Sequence, residues 1–245
     1  SCGASVYLLG VCPTPAVSYL IQKEHFDCGI MVSASHNPFH DNGIKLFNGE
    51  GCKMNPEVEL EVESYIDGKV QIEVAHNEKI GSVIEWDEGL ELYESWLKEI
   101  VPMDLSGMNI LLDLANGSAT SCAAETLSEL GATVEVIHSA PNRININTKC
   151  GSTHPEELQK MMKEGNYHVG FAFDGDADRL IAVDEDGNLI DGDHTMYICG
   201  CYMFDKGILH DDVVVTTVMS NLGLYHALKA KGLKYEQTAV GDKYV

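Results

Sequence analysis

Three aspartates alternate in one short segment, a pattern typical of oxygen-ligand sites for a hard divalent cation. Asp174, Asp176 and Asp178 stand at every second position, and Gly175 favours a tight loop in which their carboxylates can converge. Carboxylates this close together repel one another unless a cation neutralises them. We therefore expect one Mg²⁺ at this segment, with a solvated acidic turn as the alternative.

A second metal-binding interpretation is the calcium loop of an EF-hand, whose ligands also alternate. Glu185 is the twelfth residue counted from Asp174, where that loop carries its bidentate glutamate. However, Arg179 stands where an EF-hand requires glycine, and the flanking segments Val169–Phe173 and Leu180–Val183 are rich in strand-forming residues. These departures favour a magnesium site over a calcium site.

A serine and a histidine early in the chain could take part in phosphoryl transfer. Segment 29–32 has the composition of a buried strand, so Ser35 lies in a loop just beyond its carboxyl end, where active sites of α/β sheets usually lie. A serine hydroxyl can accept a phosphoryl group when nearby donors neutralise the transferring oxygens, and His36 could be one such donor. The alternative is a loop serine that only caps a turn.

A lysine ten residues after this serine could supply a further donor. The dipeptide Asn42-Gly43 favours a tight turn, which could return Lys45 toward the loop of Ser35. The alternative for this lysine is a solvated surface side chain.

The charge balance excludes some classes of partner. The chain of 245 residues has 16 Lys and Arg against 38 Asp and Glu, and its net charge is −22 at pH 7. A field of this sign repels nucleic acid and anionic membranes, so we expect neither as a partner. A small phosphorylated substrate is compatible with it, because a cation and a few basic side chains can reverse the potential inside one cleft. The oligomeric state has no signature in the sequence.

The cysteines and the hydropathy pattern indicate the compartment. Eight cysteines are scattered along the chain without a C-x-x-C pair, and we expect reduced, mostly buried thiols. No apolar stretch is long enough to span a bilayer, and the first residues lack a signal pattern. We therefore expect a soluble, cytoplasmic protein.

Segments rich in Val, Ile and Leu alternate with helical patterns, which is typical of an α/β fold with mainly parallel, buried strands. The predicted strands cover 6–10, 28–32, 108–114, 133–138, 168–173 and 212–217, and 180–184 forms a hairpin with 189–190. The predicted helices cover 14–23, 89–100, 121–130, 155–164 and 195–204.

Breaks in this pattern predict three domains. Residues 53–87 are acidic and irregular, with a proline and several glycines, and they place the first boundary near residue 88. The predicted domains are 1–88 with the serine loop, 89–191 with the aspartate segment, and 192–245. The chain opens on a strand without a lead-in element and stops soon after its third domain begins, so we expect the first and third domains to be incomplete.

Two motifs together resemble the α-D-phosphohexomutase family. They are Ser33-Ala34-Ser35-His36-Asn37-Pro38, read with the following residues to Lys45, and Asp174-Gly175-Asp176-Ala177-Asp178-Arg179. Segments 10–16, 116–117, 217–224 and 240–245 are similar to the branch of that family that acts on glucosamine phosphates, so the similarity extends over nearly the whole chain. The resemblance implies consecutive three-layer α/β domains with mixed, mainly parallel sheets.

The resemblance also implies a reaction and a role for each motif residue. The reaction is the reversible isomerisation of glucosamine 6-phosphate to glucosamine 1-phosphate, through a phosphoserine at Ser35 and a bisphosphate that reorients. Lys45 would be a candidate general acid or base. The implied metal ligands are Asp174, Asp176, Asp178 and a phosphate oxygen on Ser35, and the other implied catalytic residues are His36, Lys45 and Arg179.

Two other interpretations stay open. One is a phosphoglucomutase or phosphomannomutase that acts on a neutral hexose phosphate, and the other is a metal-binding relative without catalysis. The parts of the family that read the sugar and bind its distal phosphate have no counterpart before residue 245, so we expect little or no turnover from this chain.

Overall fold

Strands and helices alternate along the residues that the computed structural model describes, which are 2–101, 103–241 and 244. The strands are β1 Val6–Leu8, β2 Cys28–Val32, β3 Ile44–Asn48, β4 Val83–Glu85, β5 Asn109–Asp113, β6 Thr133–Ile137, β7 Val169–Phe173, β8 Leu180–Val183, β9 Leu189–Ile190, β10 Val213–Thr217 and β11 Lys234–Thr238. The helices are α1 Thr14–Glu24, α2 Pro56–Ile66, α3 Glu88–Ile100, α4 Ala123–Glu129, α5 Glu156–Glu164, α6 Gly192–Asp205 and α7 Leu222–Lys231. Short 3₁₀ turns cover Asn77–Lys79, Ser118–Ser121 and His210–Asp212.

A five-stranded mixed sheet forms the centre of the second unit, which comprises β5 to β9 with α4 and α5. Its strand order is β6-β5-β7-β8-β9. Strands β6, β5 and β7 are parallel to one another, β8 is antiparallel to β7, and β9 is antiparallel to β8. Ile110 and Leu112 of β5 pack on the side of α4, while Leu111 packs against Leu158 and Met162 of α5. Because successive residues of one strand bury opposite faces, the sheet is covered on both sides and the unit has three layers.

The first unit comprises β1 to β4 with α1 and α2. β1 pairs with β4 in parallel, and β2 pairs with β3 in antiparallel orientation. Helix α1 buries Ala16, Val17 and Ile21, at the spacing expected for the core face of a helix. Tyr93 of α3 belongs to the same core. Helix α3 contacts both α1 and α4, so it joins the first unit to the second, and the predicted boundary at 88/89 stays a prediction.

The third unit comprises β10 and β11 with α6 and α7. The two strands are parallel, and the core between them and the helices contains Val214, Leu224, Leu228 and Leu233. The predicted α/β class with mixed, mainly parallel sheets is confirmed, since four of the seven strand pairs among the described residues are parallel.

The prediction that residues 53–87 lack regular structure is wrong, because α2 occupies Pro56–Ile66. The Asn55 side chain accepts a hydrogen bond from the amide of Glu57 at 3.1 Å, and Pro56 stands in the first turn, so both helix-start signals are present. Val58 and Leu60 alternate with glutamates at a strand-like period, and no residue of α2 is buried, which obscures the helix in the sequence.

The predicted tight turn at Asn42-Gly43 is also wrong. The connection between β2 and β3, which we call the Ser35 loop, runs over residues 33–43, and the amide of Ser33 donates to Gly43 O at 2.9 Å. A Cβ at position 43 would lie 2.3 Å from Ser33 O, so glycine is required there because two backbones approach closely. Lys45 is instead positioned by strand β3, in which it pairs with Met31 of β2.

The expectation that most thiols are buried is wrong as well. Cys12, Cys122 and Cys150 are buried and Cys201 is partly buried, whereas four cysteines are exposed. The exposed thiols are Cys2, Cys28, Cys52 and Cys199. Among the described residues, no helix is both long enough and apolar enough to cross a membrane.

Candidate active site

The loop Asp174–Arg179, which we call the Asp loop, joins β7 to β8 at the carboxyl end of β7 in the central sheet. The amide of Ala177 donates to Asp174 O at 3.1 Å, and the amide of Arg179 donates to Asp174 Oδ1 at 3.1 Å. Ala177 has a φ of 56°, in the left-handed region, which completes the tight turn. The flanking strands are antiparallel, as Phe173 pairs with Leu180, so the Asp loop is not an EF-hand between two helices.

The three aspartates of the Asp loop converge. Each can place one carboxylate oxygen within 4.8 Å of the others, and Asp174 and Asp176 are 0% and 1% exposed. Asp176 Oδ1 is buried and has no hydrogen-bond partner among the described residues. A buried carboxylate oxygen without a donor is costly unless a cation contacts it, and carboxylate oxygens are the ligands that Mg²⁺ prefers, so this donor set fits Mg²⁺.

Ser35 reaches the Asp loop from the first unit. Its Oγ donates to Asp174 Oδ2 at 2.7 Å, although 139 positions separate the two residues. Ser35 has a φ of 54°, and its amide donates to Ser33 Oγ at 2.9 Å. The predicted serine and the first predicted metal ligand are therefore in direct contact.

Lys45 contacts the same loop from β3. Its Nζ donates to Asp176 Oδ2 at 2.5 Å and to Asp178 Oδ2 at 2.7 Å, and its side chain is 26% exposed. Burial would lower the pKa of the Lys45 ammonium, but the hydrogen bonds and charges of Asp176 and Asp178 outweigh burial and hold that pKa above its ordinary value. The ammonium is therefore positively charged at neutral pH and partly neutralises the Asp loop.

The two buried aspartates differ in their titration. Burial, aided by the charge of Asp176, raises the pKa of Asp174 despite the hydrogen bond from Ser35. Burial alone would also raise the pKa of Asp176, but hydrogen bonds from Lys45 and Thr14 lower it below its usual range. The hydrogen bonds that the protein supplies to Asp176 thus favour its ionised form.

His36 follows Ser35 in the chain, and Arg179 ends the Asp loop. Nδ1 of His36 is buried and has no hydrogen-bond partner among the described residues, so the ring next to Ser35 has a free polar atom. The Arg179 side chain is 58% exposed, and its Nε lies 4.0 Å from Asp178 Oδ1. Arg179 contributes a positive charge at the rim and makes its closest contact to Asp174 through its backbone.

The structure adds two residues that sequence reasoning missed. Thr14, at the start of α1, donates from Oγ1 to Asp176 Oδ2 at 2.5 Å and from its amide to Asp176 O at 2.9 Å. Asn147 donates from Nδ2 to Ser35 O at 2.8 Å. Thr14 follows a proline at a helix start, a weak signal for a polar contact, and Asn147 has no local signal at all.

A close approach brings these elements together. A Cβ at Gly175 would lie 2.5 Å from Ser35 O and 2.7 Å from Asn147 Nδ2, so only glycine leaves room for the Ser35 loop against the Asp loop. A hydroxyl, three carboxylates and an ammonium thus meet at one point, which is the set of groups that metal-assisted phosphoryl transfer uses.

Three models of one family match the chain in order. The descriptions name alpha/beta/alpha domains of phosphoglucomutase/phosphomannomutase, with domain I at residues 1–73, domain II at 92–187 and domain III at 191–245. Together they span the Ser35 loop, the Asp loop and the third unit.

Curated relatives named phosphoglucosamine mutase are similar over almost the whole chain. The relative from Lachnoclostridium phytofermentans is 54% identical over 99% of this chain, and the one from Lachnospira eligens is 51% identical over 99%. The relative from Streptococcus pneumoniae is 48% identical over 100% of this chain. Each match covers 54% of the relative, so the chain spans about half the length of the curated relatives it matches.

Solved structures show the same fold. A phosphoglucomutase/phosphomannomutase family protein from Burkholderia thailandensis matches with a TM-score of 0.79 at 22% identity, over 97% of this chain and 52% of that one. Aspergillus fumigatus N-acetylphosphoglucosamine mutase, solved in complex with GlcNAc-6P and magnesium, matches with a TM-score of 0.63 at 17% identity, over 98% of this chain and 64% of that one. At these identities the likeness shows the fold alone.

Proposed function

The chain belongs to the phosphoglucomutase/phosphomannomutase family, and on that premise we propose that it serves the interconversion of glucosamine 6-phosphate and glucosamine 1-phosphate through a phosphoserine at Ser35. The choice of sugar rests on the curated relatives, which are named phosphoglucosamine mutase and are 48% to 54% identical to this chain. The choice of nucleophile and metal site rests on the geometry of the Ser35 and Asp loops.

The contact between Ser35 Oγ and Asp174 Oδ2, at 2.7 Å, is the observation that carries the proposal. It brings a hydroxyl of the first unit against the carboxylates of the second. Because 139 positions separate the two residues, the contact is not a local cap of a turn. A hydroxyl beside a divalent cation site can give up and take back a phosphoryl group, because the cation neutralises the transferring oxygens.

In the proposed reaction, phosphorylated Ser35 gives its phosphoryl group to the free hydroxyl of the sugar phosphate. The bond from phosphorus to Ser35 Oγ breaks, a bond from phosphorus to the sugar oxygen forms, and the sugar hydroxyl proton is released as Ser35 Oγ gains one. The bisphosphate then turns end for end, and Ser35 Oγ takes back the other phosphoryl group. Each half-reaction is a transfer between two oxygens, so atoms and charge balance without a further reactant.

The side chains around Ser35 have separate roles in this proposal. Asp174, Asp176 and Asp178 would hold Mg²⁺, which when bound supplies positive charge to the transferring phosphoryl oxygens. Lys45, charged and already directed at the Asp loop, would donate to phosphate oxygens and serve as the candidate general acid, whereas its raised pKa opposes a role as general base. His36 would contribute its unpartnered Nδ1 next to Ser35, and Arg179 would add positive charge at the rim.

The test is phosphate uptake by this chain. The protein is incubated with glucosamine 1,6-bisphosphate with and without Mg²⁺, and added phosphate is located by peptide mass spectrometry, with Ser35→Ala as the control. We expect Mg²⁺-dependent phosphate on Ser35 and none in the variant. Phosphate that appears on Ser33 instead, or no uptake from any hexose bisphosphate, would overturn the proposal.

The same assay separates the sugars. The three family models are described as phosphoglucomutase/phosphomannomutase domains, which favours a neutral hexose as the second candidate substrate. Faster uptake from glucose or mannose 1,6-bisphosphate than from glucosamine 1,6-bisphosphate would select that candidate. Uptake from none of them, with Mg²⁺ still bound, would favour a metal-binding relative without catalysis.

A cytoplasmic location is part of the proposal. It rests on the eight free cysteines, three of them buried in the cores and loops of the first two units, because free thiols are typical of reducing compartments.

A further inference from the structure

Asp113, at the end of β5, holds the loop 142–151 against the end of the central sheet. Its Oδ1 accepts a hydrogen bond from the amide of Ala115 at 2.9 Å, and its Oδ2 accepts one from the amide of Gly151 at 2.8 Å. The amide of Asn147 donates to Ala115 O at 3.0 Å, so the middle of the loop is fixed to the same strand end. Asp113 is 0% exposed, and both of its carboxylate oxygens are therefore used to support backbone.

Metal-ligating side chains also gather at this support. Asp113, His138 and Cys150 can place ligand atoms within 4.8 Å of one another, and His138 Nδ1 lies 3.1 Å from Asp113 Oδ1. However, both carboxylate oxygens already accept backbone amides, and burial raises the pKa of the Cys150 thiol to about 11, which opposes the thiolate that a metal needs. The group therefore fits a support for the loop better than a second metal site.

The loop that Asp113 supports presents Asn147 to the Ser35 loop. Asn147 is 8% exposed, and its Nδ2 donates to Ser35 O at 2.8 Å and to Asn37 O at 3.1 Å. Both partners are carbonyl oxygens, so the amide nitrogen must face them, and both of its hydrogens are used. One side chain of the second unit thus hydrogen-bonds to the backbone of the first unit on either side of His36.

Ser35 needs such support because its own backbone is strained. Its φ of 54° is unfavourable for a residue with a side chain, and a conformation of this kind persists only where surrounding contacts impose it. Asn147 holds the carbonyl of Ser35 at 2.8 Å while Asp174 holds its hydroxyl at 2.7 Å. The orientation of the hydroxyl relative to the Asp loop therefore depends on both contacts.

From this geometry we propose that Asn147 is a positioning residue, which fixes the backbone of Ser35 so that its hydroxyl stays aligned with the Asp loop for phosphoryl transfer. The proposal rests on the proposed function, because it assigns a role in transfer to Ser35. Within the described part of the chain, the hydrogen bonds of the Asn147 side chain go to the carbonyls of Ser35 and Asn37, and not to the carboxylates of the Asp loop. Asn147 acts through these two carbonyls.

Two substitutions at position 147 remove the hydrogen bonds to Ser35 O and Asn37 O while keeping the backbone conformation. Asn147 has a φ of 56°, which glycine and aspartate tolerate well, so Asn147→Gly removes the side chain and Asn147→Asp keeps its shape without its two donors. Thr148→Ala is the control in the same loop, since Thr148 is exposed and the hydrogen bond given for its side chain is a long one of 3.4 Å to Ile146 O. All three are made in the full 245-residue chain.

The first measurement is the rate of phosphate uptake on Ser35 from glucosamine 1,6-bisphosphate in Mg²⁺. We expect both Asn147 variants to lower the rate at saturating bisphosphate about 10- to 100-fold, because small misplacements of a reacting group have effects of that size. In Asn147→Gly, the half-saturating bisphosphate concentration and the Kd for Mg²⁺ should change less than about twofold, a split that general loosening of the fold would not produce. An unchanged maximal rate in both variants, or an equal loss in Thr148→Ala, would overturn the proposal.

The second measurement does not depend on chemistry. Amide hydrogen exchange is followed in peptides that cover residues 33–43, and we expect Asn147→Gly to speed exchange in this loop about tenfold or more while Thr148→Ala leaves it unchanged. If the unsubstituted chain takes up no phosphate from any hexose bisphosphate, the proposed function fails, and exchange alone then decides whether Asn147 fixes the loop. If the exchange rates of this loop are the same in the unsubstituted chain, Asn147→Gly and Thr148→Ala, the positioning role is refuted even where phosphate uptake is normal.

Discussion

Lys45 Nζ lies 2.5 Å from Asp176 Oδ2, so a side chain of β3 neutralises a carboxylate of the loop that follows β7. The same ammonium donates to Asp178 Oδ2 at 2.7 Å. Two of the three carboxylates proposed to bind Mg²⁺ therefore already have a cationic partner from the protein. A divalent cation and the lysine compete for the same carboxylates, although Asp176 Oδ1 has no partner among the described residues, and this competition can be measured.

We expect Lys45→Met to bind Mg²⁺ more tightly than the unsubstituted chain. Methionine keeps the length and the apolar stem of lysine, but it removes the ammonium, whose hydrogen bonds to Asp176 and Asp178 Mg²⁺ must weaken in order to bind. The gain should be about tenfold in Kd, since a charge-assisted hydrogen bond contributes roughly 1.5–3 kcal/mol and only part of it is lost on displacement. Titration calorimetry at neutral pH measures the affinity.

The same variant should lose phosphate uptake on Ser35, because Lys45 is proposed to donate to the transferring oxygens. Tighter Mg²⁺ binding with slower transfer would be a combination that simple damage to the fold does not give. Weaker Mg²⁺ binding in Lys45→Met would contradict the competition and would indicate that the ammonium supports the metal site.

Asp176→Asn should weaken Mg²⁺ binding by at least about tenfold, because the number of charged ligands sets the affinity of such sites. Asparagine keeps an oxygen that can accept from Thr14 and Lys45, so the local hydrogen bonds of this buried position are retained. The variant is compared with Asp186→Asn, which removes one exposed carboxylate from the β8–β9 turn and leaves the Asp loop intact. Equal effects of the two substitutions on Mg²⁺ affinity would show that overall charge, and not the Asp loop, attracts the cation.

The buried thiols predict a fall in stability at alkaline pH. Burial raises the pKa of Cys12 and of Cys122 from 9.0 to about 11, and a thiol with a raised pKa binds its proton more tightly in the folded state. The unfolded chain releases these protons first, so the free energy of unfolding should decrease as the pH rises from about 9 to about 11. Urea unfolding at pH 8, 9 and 10.5 measures the slope, and Cys12→Ala should make it shallower.

Alkylation provides a check on the same thiols. At pH 8 we expect iodoacetamide to modify the four exposed thiols, Cys2, Cys28, Cys52 and Cys199, while Cys12 and Cys122 react only after unfolding. Fast modification of Cys12 in the folded chain would show that its thiol is neither buried nor protonated as described.

Much of the site could be predicted from the sequence because its chemistry is local. The alternation of Asp174, Asp176 and Asp178 and the place of Ser35 after a strand are properties of short segments, and the structure brings these segments together. Thr14 and Asn147 could not be found in this way, since their contacts with Asp176 and Ser35 cross 162 and 112 positions. Such contacts depend on how the units pack, which no local pattern encodes.

The fold shows the same division between local and long-range information. Elements with buried faces were predictable: the core residues of α1 recur at a helical spacing, and the continuous apolar run of β5 is typical of a strand buried on both faces. Helix α2 was not, because it buries nothing and its Val58 and Leu60 follow a strand-like alternation. At Gly43 the prediction failed for a different reason. Glycine after asparagine is typical of a turn, but here it allows a close approach to the backbone of Ser33.

Gly175→Ala should separate metal binding from phosphoryl transfer. The added Cβ would lie 2.5 Å from Ser35 O and 2.7 Å from Asn147 Nδ2, closer than such atoms can approach, so the Ser35 loop must move away from the Asp loop. The three carboxylates belong to the Asp loop itself and should still bind Mg²⁺, with a change in Kd of less than about tenfold. Phosphate uptake on Ser35 should fall about 100-fold or more, because a displacement near 1 Å has an effect of that order.

Gly192→Ala is the matched control for this substitution. Position 192 begins α6, and a Cβ there would meet nothing within 4 Å, so the same change in side chain is made without a clash. We expect Gly192→Ala to leave both Mg²⁺ affinity and phosphate uptake unchanged, with a stability equal to or slightly above that of the unsubstituted chain. Normal phosphate uptake in Gly175→Ala would mean that the contact between the two loops is not needed for transfer, since the clash forces them apart, and the proposed role of that contact would then be wrong.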